Sequence, residues 1–235
     1  MGRGVSGFFE LFTVPVQRLT FDVFHRKDFT PAEKLKDDNA KLSAQLAKQK
    51  ELERENQALR DQFQTAVIPA KKLLPAHIIG LISFIPGVSP VDEIIIDQGE
   101  GNGVKVGSIA VYKDNLVGRI VKTSSHMSVI HLLTRKDASF TATTTKTKAL
   151  GVIKGKEGEN LLLDNVVLSD KLEKDDLVVT RGDIDNKGTG YPPDLVVGKI
   201  VSVNKKTSAL FQTAEVESLV DFERLSVVFI IVEEK

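Results

Sequence analysis

The chain has 235 residues, with 32 Lys+Arg against 32 Asp+Glu and neither cysteine nor tryptophan. Zero formal charge provides no global field for nucleic acid or an acidic polymer, and the absence of cysteine excludes thiolate metal sites, disulfides and Cys nucleophiles. The length allows one or two domains.

The first 29 positions hold six of the twelve Phe residues, together with Val5, Leu11, Val14, Val16 and Leu19. Pro15 interrupts any long helix, and Glu10, Arg18 and Asp22 break the apolar run. A bilayer span needs about 20 mostly apolar residues, so 1–29 is expected to be an apolar, juxtamembrane-like segment and not a span, with packing on the body of the protein or on a partner as the alternative. It also lacks the basic start and small-residue cleavage site of a signal peptide.

Thr30-Pro31-Ala32-Glu33 reads as an N-cap, a proline at the first helical position and the glutamate of a capping box. From there a helix over 30–64 is predicted. Its stripe is Leu35, Asn39, Leu42 and Leu46, then Leu52, Asn56, Leu59 and Phe63, at spacings of four and three. That is a coiled-coil seam, and Gln49 between the two blocks marks a stammer. Seam asparagines weaken a pair but restrict its register. Seven basic and seven acidic residues alternate between Glu33 and Gln62, so the outer faces are solvated. At 1.5 Å per residue the helix is about 50 Å long. Self-association through this seam is expected, with a single amphipathic helix packed on its own β domain as the alternative.

Beyond Phe63 the period changes to that of strands. The segment 67–90 is apolar but broken by Pro69, Pro75, Pro86 and Pro90, with His77–Ile82 its best strand. Further strands are predicted at 93–97, 104–112, 116–122, 127–133, 140–147, 149–154, 160–167, 177–180, 195–203, 208–217 and 225–232. One phrase occurs twice: Leu116-Val117-Gly118-Arg119-Ile120-Val121 returns as Leu195-Val196-Val197-Gly198-Lys199-Ile200-Val201. Each copy follows a turn-rich, alternating segment, 103–111 and 174–180. Two related units are therefore expected, with Gly118 and Gly198 as structural glycines where a side chain would collide with a crossing strand. The fold class is mainly β with an N-terminal α-helical coiled coil and two small β-barrel-like domains. The first β domain is assigned 65–148 and 205–235, and the second 149–204.

Chemical constellations are weak. Gly99-x-Gly101-x-Gly103 precedes a strand and not a helix, so it reads as a hairpin turn and not a dinucleotide loop. Asp183-Ile184-Asp185-Asn186-Lys187-Gly188, with Asp194 at the twelfth place, resembles a calcium loop, but Lys187 occupies a ligand position. Ser125-His126 and His131 lack a strand-to-helix elbow and an acidic partner legible in sequence. The four histidines (His25, His77, His126, His131) show no metal-ligand spacing. No catalytic, cofactor-binding or metal residue is assigned, and no cofactor or nucleic acid is expected.

Several segments together resemble the rod shape-determining protein MreC family. Glu55-Asn56-Gln57-Ala58-Leu59-Arg60 resembles the end of that family's coiled coil. Ile96-Asp97-Gln98-Gly99 with Gly103-Val104-Lys105-Val106-Gly107, Asn115–Val121 and Ser128–Thr134 resemble its first β elements. Val178-Val179-Thr180-Arg181-Gly182, Tyr191-Pro192 and Val197-Gly198-Lys199-Ile200 resemble its second-domain signature. Three places depart from the pattern: Asp175 stands for a glycine, Arg181 for a small residue, and a glycine is expected near Asp194.

The resemblance implies a non-catalytic scaffold of the bacterial cell-elongation machinery that maintains cell shape. It implies a homodimer, with filaments a further form, and partners among an elongation penicillin-binding protein, RodA, MreD and the MreB system. It also implies a single-pass membrane protein with this region on the extracytoplasmic side, its anchor lying upstream of the sequence in hand. The alternatives are a periplasmic adaptor of an efflux system, which would need a second, antiparallel helix, and a β-barrel hydrolase.

Overall fold

The computed structural model describes residues 31–65, 73–156, 160–183, 190–206 and 208–232. The Phe-rich segment 1–29, the Thr30 cap and most of the calcium-like loop lie outside the described residues. The chain divides into two units, 1–51 and 52–235.

Helix α1 (Pro31–Thr65) begins at the proline that the capping signature marks, with Glu33 in its first turn. In the first unit every described side chain of the helix is exposed. Among the described residues α1 is the only α-helix, so no helix pair is seen there.

The second unit is built from two closed rings of six strands. The first ring runs β1 (Leu73–Ile82), β2 (Glu93–Ile96), β5 (Ser128–Leu132), β4 (Asn115–Thr123), β3 (Ile109–Tyr112), β12 (Val227–Ile231) and back to β1. The second runs β7 (Leu150–Gly155), β8 (Asn160–Val167), β11 (Phe211–Glu217), β10 (Val196–Asn204), β9 (Leu177–Thr180), β6 (Ser139–Thr144) and back to β7. All pairings within each ring are antiparallel. The rings meet where β10 pairs parallel with β4, Val196 opposite Asn115, and the Val196 N–H donates to Asp114 O at 2.8 Å.

The two rings have one topology. Replacing β12, β1, β2, β3, β4 and β5 in turn by β6, β7, β8, β9, β10 and β11 converts every pairing of the first ring into one of the second. The repeated phrase lies on the equivalent strands β4 and β10. Both are bulged at matching places, after Ile120 against β5 and after Ile200 against β11. The second ring is an insertion between β5 and β12 of the first.

The strands therefore group differently from a division at 148 and 205. The Thr-rich strand β6 pairs with β7 and β9, and β11 pairs with β8 and β10, so both belong to the second ring. Of the residues after 205, the first ring takes β12 as its closing strand. Closure is the physical reason: β10 needs an antiparallel neighbour on its other side, and the next strand in the chain supplies it. The glycine turn is also not a hairpin, because β2 and β3 do not pair. It forms a short 3-10 turn over Glu100–Asn102, packed on the β4–β5 turn by bonds from Glu100 N to Ser124 O and Gly101 N to Ser125 O.

Alternation carries the cores. Ile130 and Leu132 of β5, Leu116 and Ile120 of β4, Ile94 and Ile96 of β2 and Phe229 of β12 fill the first ring. Ile153, Leu161, Leu163, Ile200 and Val216 fill the second. Burying one such side chain contributes roughly 1.5–3 kcal/mol, and ring closure leaves no strand in either ring with only one neighbour.

Candidate functional site

The helix seam is exposed where it is purely apolar. Leu35, Leu42, Leu46 and Leu52 are 64%, 62%, 54% and 52% accessible, and Asn39 and Asn56 are exposed as well. Leu59 behaves differently: it is half-buried and packs against the core of its own β unit, beside buried Ala58. The Phe63 side chain lies outside the described residues. The stripe thus has two users, solvent-facing leucines above and the first ring below.

The lower end of α1 is fastened by polar contacts. Gln62 is fully buried, and its side-chain amide pairs with the backbone of Lys113 in the β3–β4 turn. The Lys113 N–H donates to Gln62 Oε1 at 2.5 Å, and Gln62 Nε2 donates to Lys113 O at 3.0 Å. The Lys113 ammonium lies 2.9 Å from the Asp61 carboxylate. That hydrogen bond lowers the Asp61 pKa and raises that of Lys113.

About two turns further up the helix, Glu55 Oε1 lies 3.0 Å from His77 Nε2, and His77 Nδ1 lies 2.9 Å from Asp97 Oδ2. The Asp97 carboxylate also accepts the His77 backbone N–H at 2.8 Å. The Asp97 hydrogen bond, opposed by burial and aided by Glu55, holds the imidazole pKa above its ordinary value. Nothing in the sequence marked Gln62 or His77, because their partners are 51 and 20 residues away.

An open apolar depression of about 260 Å³ lies on the outer face of the first ring, lined by Ile95, Lys122, Thr123, Met127 and Val129 among others. The β-sheet pattern explains it: Ile95 and Val129 are paired on adjacent strands, and Gly80 opposite Ile95 adds no side chain. Met127, half exposed, forms its rim. On the second ring, exposed Phe211 is paired with exposed Val167 and follows exposed Leu210.

Ser125 and His126 stand exposed in the β4–β5 turn. His131 does have acidic neighbours that sequence did not reveal: Glu93 Oε1 lies 3.1 Å from its Nε2, and Asp137 Oδ2 3.8 Å from its Nδ1. Arg135 bridges the same two carboxylates. Burial, with Arg135, outweighs the pull of Glu93 and Asp137 and pushes the His131 pKa down within this ion-pair network. Asp183 accepts the Thr141 N–H at 3.0 Å, a structural use of the first residue of the calcium-like loop. Among the described residues no group of three His, Asp or Glu side chains could hold a metal ion.

Gly118 and Gly198 sit where chains cross. A Cβ on Gly118 would come within 2.1 Å of His131 O, and one on Gly198 within 2.3 Å of Glu217 O. The second-domain turn is held by Asp176, a fully buried carboxylate. It accepts from Thr145 Oγ1 and Lys146 N at 3.0 Å and from Thr147 N and Oγ1 at 3.2 Å. Burial alone would raise its pKa, but these four donors outweigh it and the pKa is lowered. Tyr191 of the signature stacks on Phe140 with centroids 4.4 Å apart, and Arg119 of the first ring lies 5.8 Å from its ring centre.

The model of the family described as "Rod shape-determining protein MreC, barrel core" matches residues 88–232. A cell shape-determining protein MreC of Haemophilus influenzae is 29% identical over 140 residues, covering 59% of this chain and 39% of the relative. That of Caulobacter vibrioides is 29% identical over 168 residues, covering 70% of this chain and 47% of the relative. The chain thus spans less than half the length of these relatives. A solved MreC structure superposes with a TM-score of 0.67 at 22% identity, covering 77% of this chain and 98% of the other. One from Pseudomonas aeruginosa gives 0.59 at 22% identity, covering 68% and 99%. A solved complex between a penicillin-binding protein (PBP2) and MreC from Helicobacter pylori gives 0.52 at 18%, covering 69% and 98%. At these identities the structural likeness speaks for the fold.

Proposed function

The chain belongs to the rod shape-determining protein MreC family, and on that premise we propose that it is a non-catalytic scaffold of bacterial cell elongation. Family membership over 88–232 carries the reading, and the Helicobacter pylori complex with PBP2 supports the class of partner. In this reading the exposed leucines of α1 join two copies, and the rings present apolar surface to a wall-synthesis transpeptidase. RodA, MreD and the MreB system are further partners, and the region stands on the extracytoplasmic side of the membrane. An efflux adaptor is less well supported, since α1 has no antiparallel companion helix among the described residues. A hydrolase is less well supported too, since Ser125 and His126 are solvent-exposed turn residues and His131 belongs to an ion-pair network.

The depression lined by Ile95, Met127 and Val129 is the proposed partner face. Closed rings leave no free strand edge, so side-chain packing and not strand addition supplies the contact. Met127→Asp is expected to weaken binding of the cognate transpeptidase at least tenfold in a pull-down titration, while His126→Ala and Ser125→Ala leave it unchanged. Unchanged binding by Met127→Asp overturns the placement. Hydrolytic activity abolished by His126→Ala overturns the scaffold reading itself.

A further inference from the structure

Glu55, His77 and Asp97 come from three separate elements: α1, β1 and the turn after β2. The His77 side chain touches a carboxylate at each ring nitrogen, 2.9 Å at Nδ1 and 3.0 Å at Nε2. Carboxylates at these distances can only accept, so each nitrogen must donate for both contacts to hold. Asp97 is the fixed partner. Its other oxygen binds the His77 backbone N–H, its own N–H donates to His77 O at 3.1 Å, and Gln98 Nε2 donates to it at 3.3 Å. Nδ1 therefore keeps its proton in either state.

The neutral ring then has a bare lone pair at Nε2 facing the Glu55 carboxylate, which is repulsive. The doubly protonated ring donates to both. Among the described residues the titratable groups acting on His77 are Asp97 and Glu55; opposite it on β12 is Val227, and its flanks on β1 are Ala76 and Ile78. Below, the Gln62–Lys113 and Asp61–Lys113 contacts contain no group that titrates near neutrality.

We propose that Glu55–His77–Asp97 is a proton-operated latch. It fastens the helix segment around Glu55 to the first ring when the imidazole carries two protons and releases it when one is lost. The contacts at Asp61 and Gln62 stay made in both states, so release loosens α1 above Ala58 without detaching its base. The sign follows from the geometry: the latch is fully closed below the ordinary histidine value of 6.5 and opens as pH rises through the higher value held in the folded chain. This inference is independent of which partner the rings bind.

The cysteine-free chain allows single nitroxide labels on otherwise intact protein. A label at Asn56→Cys is expected to gain mobility as pH rises from about 5 to about 9, the range in which histidine switches. A label at Arg60→Cys, next to the pH-independent base, is expected to stay constant. His77→Gln keeps a donor for Asp97 and should abolish the Asn56 response. In parallel, the His77 ring titrated by NMR should show a midpoint above 6.5 that falls in Glu55→Gln. A His77 midpoint indifferent to Glu55→Gln overturns the proposal, as does an Asn56 response that survives His77→Gln. A normal His77 titration with an Asn56 label that never responds also overturns it, since protonation would then move nothing.

Discussion

Asp194 and Asp175 adopt left-handed backbone, with φ of 66° and 67°. Both lie where the family resemblance led one to expect glycine. Asp175 has an equivalent in the first ring, Gly107 at φ 95°. The N–H of Gly107 donates to Ile120 O at 2.8 Å and that of Asp175 to Ile200 O at 2.9 Å. The turn has kept its shape while a residue with a Cβ carries it. Asp is among the few side chains that tolerate this region, at a cost glycine does not incur. Asp194→Gly, at an exposed position, is therefore expected to stabilise the chain by about 0.5 kcal/mol, a rise in Tm of about 1–2 °C in calorimetry. A fall in Tm would count against strain at this turn. The repeated glycines predict the opposite sign. Gly118→Ala and Gly198→Ala each push a methyl group into a carbonyl oxygen, and a destabilisation of about 1–3 kcal/mol is expected. Hydrogen exchange should show the loss concentrated in the ring that carries the change, and equal loss across both rings would contradict their independence. These glycines were legible in sequence because the phrase around them occurs twice. Asp176 and Gln62 were not, since burial of a polar side chain depends on donors that only the fold brings near.

The elements show why local pattern goes only so far. The Thr-Pro-x-Glu signature places the start of α1, and period-two alternation locates most strands to within a few residues. Which ring a strand joins is not written in its own residues. β6 is rich in Thr, yet Phe140, Ala142 and Thr144 face inward and Thr141 and Thr143 outward. The heptad stripe likewise does not say who its partner is. Leu59 keeps the seam spacing and packs on the ring, so the proposed helix pairing would rest on Leu35 through Leu52. Replacing Leu42 and Leu52 by Asp should convert a dimer to monomer in sedimentation, because an unpaired carboxylate in an apolar seam is costly. Leu59→Asp should instead loosen the helix base and lower Tm while leaving the association constant nearly unchanged. A wild-type chain that sediments as a monomer at about 50 μM would defeat the pairing proposal, given how marginal short isolated helices are.

At the scale of the molecule, one six-stranded design is used twice, once interrupted and once whole. The shared topology makes the repeated phrase the trace of a repeated structure. The contact at Asn115 and Val196, with Arg119 over Tyr191, joins the two copies through those same strands. The nesting sets an order of assembly. All six strands of the second ring are contiguous in the chain, from Ser139 to Glu217, so it can close as soon as that stretch has emerged during synthesis. The first ring has five of its strands made early and must wait for Val227–Ile231, its own sixth strand. While it waits, β1 and β3 each show an open flank, the kind of edge that invites pairing with another nascent chain. The closing strand is thus a lid on a vulnerable intermediate, and a chain cut short before Val227 would display a finished second barrel beside a first one still gaping.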